Sequence, residues 1–268
     1  MLHARYLIGA VAACAVTTGT AVTPALAAES GSAAENYVAL GDSYASGTGT
    51  RDYFEDSGSC LRSPKAYPQL WADSHGAANF DFAACSGAVT DDVNSGQLDG
   101  LSADTTLVTI SIGGNDIGFV DVITRCLAGT DEGCDSAVDE AAEKARSELP
   151  DKLDTTYANI RAAAPNAEVV VVGYPRINEM GDCGIPFYSE HKRQRINEGA
   201  DELAAVTSER ASAAGFSFAD PRDAFDGHGV CASDEWINGP SDPIQESFHP
   251  DVDGHANAYL PTLNAVTG

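Results

Sequence analysis

Apolar residues gather in short continuous runs, and longer stretches with helical spacing lie between them. Five runs stand out: Tyr37–Leu40, Phe80–Ala83, Leu107–Ile112, Glu168–Val172 and Phe216–Ala219. They are continuous rather than alternating, as expected of strands covered on both faces. The spacing between them predicts helices over Pro64–His75, Ser136–Ala163, Ser189–Ala214 and Gly254–Val266, with Leu149-Pro150 breaking the second. Strands that alternate with helices predict an α/β fold, a three-layer α/β/α sandwich around a five-stranded parallel sheet. No linker divides residues 36–268, which read as one domain.

In open parallel sheets ligands bind beyond the carboxyl ends of the strands. The first strand runs into Gly41-Asp42-Ser43, the second into Cys85-Ser86-Gly87 and the third into Gly113-Gly114-Asn115-Asp116. All three ends belong on one edge. Ser43 is the candidate nucleophile, a hydroxyl that needs a base to take its proton and donors to hold the oxyanion it creates. A tight turn would use the same three residues, so Gly-Asp-Ser alone carries little. Neither the Gly-x-Ser-x-Gly elbow nor a phosphate-binding Gly-Lys-Ser/Thr is present. Asn115 is the candidate oxyanion donor beside the backbone N–H groups of Ser43 and Gly87; its plain alternative is to cap a helix starting near Ile117. Asp116 reads as a structural tie between loops.

The base must be a histidine. His75 lies at a helix end, His191 in the basic run HKRQR and His228 in a glycine-rich loop. His249, in ESFHPDVDGH, sits on a loop before the last helix and is the candidate base. Two groups are candidates to orient its ring: the side chain of Glu246, three residues earlier, and the main-chain carbonyl of Ser247. A metal site on His249, Asp251, Asp253 and His255 is disfavoured, because the segment lacks the calcium-loop pattern and its terminal glutamate. No metal or cofactor is expected.

Charge and cysteines narrow the class. The chain has 268 residues and a formal net charge of −25, which repels nucleic acid and anionic lipid surfaces. Residues 1–27 carry Arg5, an apolar middle and Ala25-Leu26-Ala27, the layout of a cleaved secretory signal peptide, with trimming as far as 33–34 conceivable. That run is too short and interrupted to span a bilayer. Without Cys14, six of the seven cysteines remain, an even number that in an exported chain suggests disulfides. Six cysteines allow 15 pairings. Sequential neighbours are the expected ones: Cys60–Cys85, Cys126–Cys134 and Cys183–Cys231. A secreted monomer with no nucleic-acid partner and no stable membrane insertion is the expectation.

These blocks together resemble the GDSL, or SGNH, hydrolase family, and within it the secreted actinomycete lipases and esterases. ALGDSYASG carries the family's nucleophile onto Ser43, and CSGAVT carries an oxyanion-hole glycine onto Gly87. IGGND carries the oxyanion-hole asparagine onto Asn115, and FHPDVDGH carries the general base onto His249. The resemblance implies a flavodoxin-like sheet, an acyl-enzyme mechanism and the sequential disulfides. It also implies a broad range of esters: triacylglycerols, aryl esters, phospholipids. Two positions depart from the pattern. Tyr44 stands where the motif has leucine, an exchange expected to alter packing rather than chemistry. Glu246 stands where the family's Asp-x-x-His has aspartate, which leaves the third catalytic member open between Glu246 and Ser247. A carbohydrate acetyl esterase and a catalytically silent secreted binding protein are the alternative readings.

Overall fold

Five parallel strands, β1 (Asn36–Gly41), β2 (Asn79–Phe82), β3 (Leu107–Ser111), β4 (Glu168–Val172) and β5 (Ser217–Ala219), form one sheet in the order β2-β1-β3-β4-β5. The structure is a computed structural model that describes residues 1–4, 9 and 35–268. The expected signal peptide at 1–27 lies mostly outside the described residues. By contacts the chain divides into Met1–Ala33 and Ala34–Gly268, and the sheet with all its helices belongs to the second unit.

Eight helices accompany the strands in chain order among the described residues: α1 (Ser43–Ser46), α2 (Tyr67–His75), α3 (Thr90–Gly96), α4 (Phe119–Ala128), α5 (Asp131–Ser147), α6 (Leu149–Ala163), α7 (Glu190–Ala213) and α8 (Leu260–Thr267). Every residue of β3, and all of β1 after Asn36, is buried, so helices must cover both faces. On one side α2 packs on β2 and α8, and α8 on β5. Elsewhere α3 packs on α6, α6 on α7, and α7 on β4 and β5. Valines fill β4 and aromatic residues flank the sheet, with Tyr37 against Trp71 and Phe80. The order reverses at β1, whose neighbours β2 and β3 are reached in opposite directions. That reversal opens a crevice beyond the ends of β1 and β3.

Several boundaries differ from the pattern-based expectation, each for a local reason. β2 alternates between exposed and half-buried positions because it is an edge strand, not one covered on both faces. The long helical stretch separates at Glu148 into α5 and α6, with Pro150 in the first turn of α6, where no intrahelical N–H is needed. It also begins earlier, at Asp131, because the Thr130 side chain accepts from Gly133 N–H and caps it. The last helix is preceded by a widened π turn over Gly254–Tyr259. Pro261 has no N–H to offer and its ring crowds the preceding carbonyls, so a regular α turn cannot run through it. The short α3 is not among the expected helices because TDDVNSG has almost no apolar spacing.

Candidate active site

Gly41 ends β1 at φ +128°, and a Cβ there would collide with the Ser111 carbonyl on β3. A glycine is therefore required for β1 to finish tightly against β3. Asp42 N–H then donates to Ser111 O at 2.9 Å, and the Asp42 carboxylate accepts from Tyr44 N–H at 3.0 Å, capping α1. This single turn presents Ser43, which is 6 % exposed. Its Oγ–H donates to His249 Nε2 at 2.7 Å, and His249 Nδ1 lies 2.9 Å from the Ser247 carbonyl oxygen. A carbonyl only accepts, so Nδ1 carries the ring proton and Nε2 turns its lone pair toward the serine.

The loop that carries His249 is tied down on several sides. Asn238 N–H and its side-chain amide both donate to His249 O, at 2.9 and 3.0 Å, while Phe248 N–H donates to Asn238 O at 2.8 Å. Burial pushes the His249 imidazole down to about 4, against the smaller opposing effect of the Ser247 carbonyl. The ring is thus neutral near pH 7 and able to accept a proton. Burial also pushes the Asp42 carboxyl up to about 7, although Tyr174 O–H at 2.5 Å and Tyr44 N–H both favour its ionised form.

Gly87 and Asn115 follow the ends of β2 and β3, and Asn115 lines the same cleft as Ser43. Gly87 adopts φ +83°, with open space around its Cβ position. Among the described residues, neither Ser43 N–H nor Gly87 N–H has a protein acceptor. Asn115 Nδ2 donates one hydrogen to Ala88 O at 3.0 Å, which leaves the second for another acceptor. Helix capping is not its use, for α4 starts at Phe119 with Gly118 as its cap. Asp116 ties loops: its carboxylate accepts from Thr90 N–H, Thr90 O–H and Lys152 Nζ, joining the β3 end to α3 and α6. The Cys60–Cys85 disulfide, backed by Ser86 N–H to Cys60 O at 3.0 Å, holds the chain just before Gly87. Cys126–Cys134 and Cys183–Cys231 are also joined.

The structure does not bring the Glu246 side chain to His249. Its buried carboxylate accepts from Tyr53 O–H at 2.8 Å and pairs with Arg51 Nε at 3.1 Å, clamping the loop after α1. Of the two groups considered for orienting the ring, only the Ser247 carbonyl reaches it. The physical reason lies in the turn over Ile244–Glu246, which directs the acid side chain away from the imidazole. The four residues of the disfavoured metal reading do not converge: His249 turns to Ser43, His255 to Tyr67 N–H, and Asp251 to Gly254 N–H. His75 and His228 stack on Trp71 and Trp236, and His191 meets Asp135 on the surface.

Two tyrosines make hydrogen bonds that the sequence pattern does not signal. Tyr174, just past β4, donates to Asp42 and accepts from Gly114 N–H at 3.3 Å, joining the ends of three strands. Reading the fourth strand end in the same way as the first three points to it. Tyr44 does more than pack: its hydroxyl donates to Phe248 O at 2.7 Å. Leading away from Ser43 and Asn115 is an apolar cleft walled by Ile117 just before α4, Phe119 at its start, Val138 and Ala141 of α5, and Ile196 and Leu203 of α7. No short motif encodes those walls, because they come from three separate helices. Among the described residues no helix is long and apolar enough to cross a membrane, and no cluster of potential metal ligands occurs.

A strand-end serine, a neutral imidazole within hydrogen-bond distance and unpaired N–H groups can together attack an acyl carbonyl and hold its oxyanion. The sequence pattern of the GDSL-like Lipase/Acylhydrolase family matches residues 39–256. The chain belongs to that family. It is 47 % identical to Lipase 1 of Streptomyces coelicolor over 97 % of this chain and 98 % of that protein. The crystal structure of the extracellular lipase from Streptomyces rimosus superposes with a TM-score of 0.85 at 45 % identity, covering 87 % of this chain and all of that one. Phospholipase A1 from Streptomyces albidoflavus is similar, with a TM-score of 0.84 at 45 % identity, over 87 % of this chain and 99 % of that one. This GDSL-like hydrolase is an ester hydrolase of the lipase/esterase kind.

Proposed function

We propose that Ser43 is the nucleophile of this lipase/esterase, His249 its general base and acid, and the Ser247 carbonyl the group that orients the imidazole. The Ser43 proton passes to Nε2 as Oγ bonds to the ester carbonyl carbon, and the carbonyl electrons move onto oxygen. Ser43 N–H, Gly87 N–H and the Asn115 amide hold that oxyanion. Its collapse breaks the bond to the alcohol, which leaves with the proton from Nε2. Water then gives a proton to Nε2 and attacks the acyl-enzyme, and Ser43 recovers its hydrogen as the fatty acid departs. The observation that carries the reading is the 2.7 Å contact from Ser43 Oγ to His249 Nε2, with Nδ1 held by a neutral carbonyl.

The substrates proposed are acyl esters with an apolar chain, triacylglycerols and phospholipids among them. The cleft between α4, α5 and α7 supports this, since an acetyl group would leave most of its apolar wall unused. Secretion is part of the proposal, with residues 1–27 as the leader and 36–268 as a single catalytic domain that works as a monomer. Three disulfides support an oxidising compartment. The test is mass spectrometry after treatment with a fluorophosphonate. One adduct on Ser43, absent in Ser43→Ala together with ester hydrolysis, is the expected result. An adduct elsewhere, or hydrolysis that survives in Ser43→Ala, sinks the assignment. Within the same assay, p-nitrophenyl esters of medium chain length should exceed acetate in kcat/KM; activity confined to acetate favours the carbohydrate esterase.

A further inference from the structure

We propose that Tyr44 is a positioning residue whose hydroxyl, bonded to the Phe248 carbonyl, holds the backbone of His249 in register with Ser43. The inference rests on the reading of Ser43 as nucleophile and His249 as base. Helix α1 reaches the segment 247–249 twice, from adjacent residues: Ser43 Oγ to His249 Nε2 at 2.7 Å, and Tyr44 Oη to Phe248 O at 2.7 Å. One bond grips the tip of the imidazole and the other grips the peptide behind it. Because the Phe248 carbonyl and the His249 N–H belong to one planar unit, fixing the oxygen fixes the plane from which the histidine departs.

That unit needs fixing. Phe248 adopts φ +60°, a left-handed conformation unusual for a bulky residue and held only where its surroundings over-determine it. Phe248 is 1 % exposed, so bulk water is a poor substitute for the phenol as donor to its oxygen. The neighbouring carbonyls are held differently: the imidazole itself takes Ser247 O, and Asn238 takes His249 O. Among these three oxygens, only that of Phe248 is tied to the residue next to the nucleophile. The Tyr44 ring is buried, packed 5.1 Å from His249 and 5.1 Å from Tyr174. A leucine at this position fills space and donates nothing. With no carboxylate on His249, the geometry of the base depends on backbone groups, and the Tyr44 hydroxyl sets one of them.

The experiment compares wild type, Tyr44→Phe and a chain with 4-aminophenylalanine at position 44, which restores a donor on the same ring. Each is assayed for kcat and KM on a p-nitrophenyl ester and for the rate of fluorophosphonate labelling at Ser43, with circular dichroism to establish folding. Tyr44→Phe should lower kcat and the labelling rate on the order of 10²-fold, the effect of displacing a catalytic group by about 1 Å. Tyr44 also lines the acyl cleft, but Tyr44→Phe keeps the ring there and removes only the hydroxyl, so KM should stay within about twofold while the amino analogue recovers most of the loss. If Tyr44→Phe does not fold, 4-fluorophenylalanine, which fills the space without donating, takes its place. Unchanged labelling in the variant without a donor overturns the proposal, as does a loss that the amino analogue fails to restore. Absence of any adduct on wild-type Ser43 would instead defeat the underlying assignment of the nucleophile.

Discussion

His249 and His255 lie six residues apart on one segment, both buried, both beside tyrosine rings. Burial pushes the first down to about 4 and the second to about 3, so both rings are neutral at neutral pH. They differ at Nδ1. In His249 this nitrogen faces the Ser247 carbonyl, which can only accept, so the proton sits on Nδ1 and the lone pair on Nε2 meets Ser43. In His255 it faces Tyr67 N–H at 3.2 Å, which can only donate. The lone pair is consumed there, and Nε2 carries the proton into a buried niche where, among the described residues, it has no hydrogen-bond partner. Burial makes an imidazole neutral; the backbone group beside it decides which nitrogen is basic, and only a serine within reach turns basicity into chemistry.

The largest effect that would break this contrast comes from His249→Ala, which should lower kcat by about 10²–10⁴-fold with the fold intact, measured by ester hydrolysis and circular dichroism. Equal losses from His255→Leu would erase the distinction. That variant should instead label at Ser43 within about twofold of wild type while losing about 1–3 kcal/mol of stability, because Tyr67 N–H is left without its acceptor. Acid sharpens the comparison. The base works only while neutral, so the labelling rate should hold from pH 7 to about 5 and fall as pH drops through about 4; a midpoint near 6.5 would mean an exposed, ordinary imidazole. Stability follows linkage with a definite sign. Both pKa values are lowered by folding, so the contribution is whole above the ordinary value of about 6.5 and is lost as pH falls toward 4 and 3. His255→Leu removes one of the two groups, and its Tm should therefore vary less steeply with pH below 6.5. The smallest effect is expected for Glu246→Gln, less than about tenfold in kcat, or 1.4 kcal/mol, since the carboxylate holds Arg51 and Tyr53 and not the ring. A loss of orders of magnitude would return the orienting role to the Glu246 side chain.

Much of the sheet was legible, because buried parallel strands leave continuous apolar runs and their order in sequence constrains which ends share an edge. Helix ends were less so. Thr130 extends α5 through a side-chain cap, and Pro261 widens the turn before α8, both effects of single residues on local hydrogen bonding. At the site, the serine, glycine, asparagine and histidine announce themselves in short blocks with chemically distinctive neighbours. Tyr44 and Tyr174 do not, since a tyrosine in an apolar setting gives no sign of where its hydroxyl ends. Glu246 stays ambiguous in the sequence for the opposite reason: an acid three residues from a histidine suggests a pair, yet its carboxylate meets Arg51 and Tyr53.

Apolar runs, charge and the short motif blocks pointed to the class of this protein: an α/β chain, strongly acidic, with a serine, an asparagine and a histidine in the order that the family resemblance implies. Those features are local, so a linear string can carry them. Only the tertiary structure decided which atoms meet. The Ser43–His249 contact, the Glu246 clamp on Arg51 and Tyr53, the tyrosine struts and the walls of the cleft all join residues far apart in the chain, and the Ser247 oxygen meets the imidazole two residues on only through the fold of its loop. Hydrogen bonds act over about 3 Å, and a sequence states no distance until the sheet has brought its strand ends together.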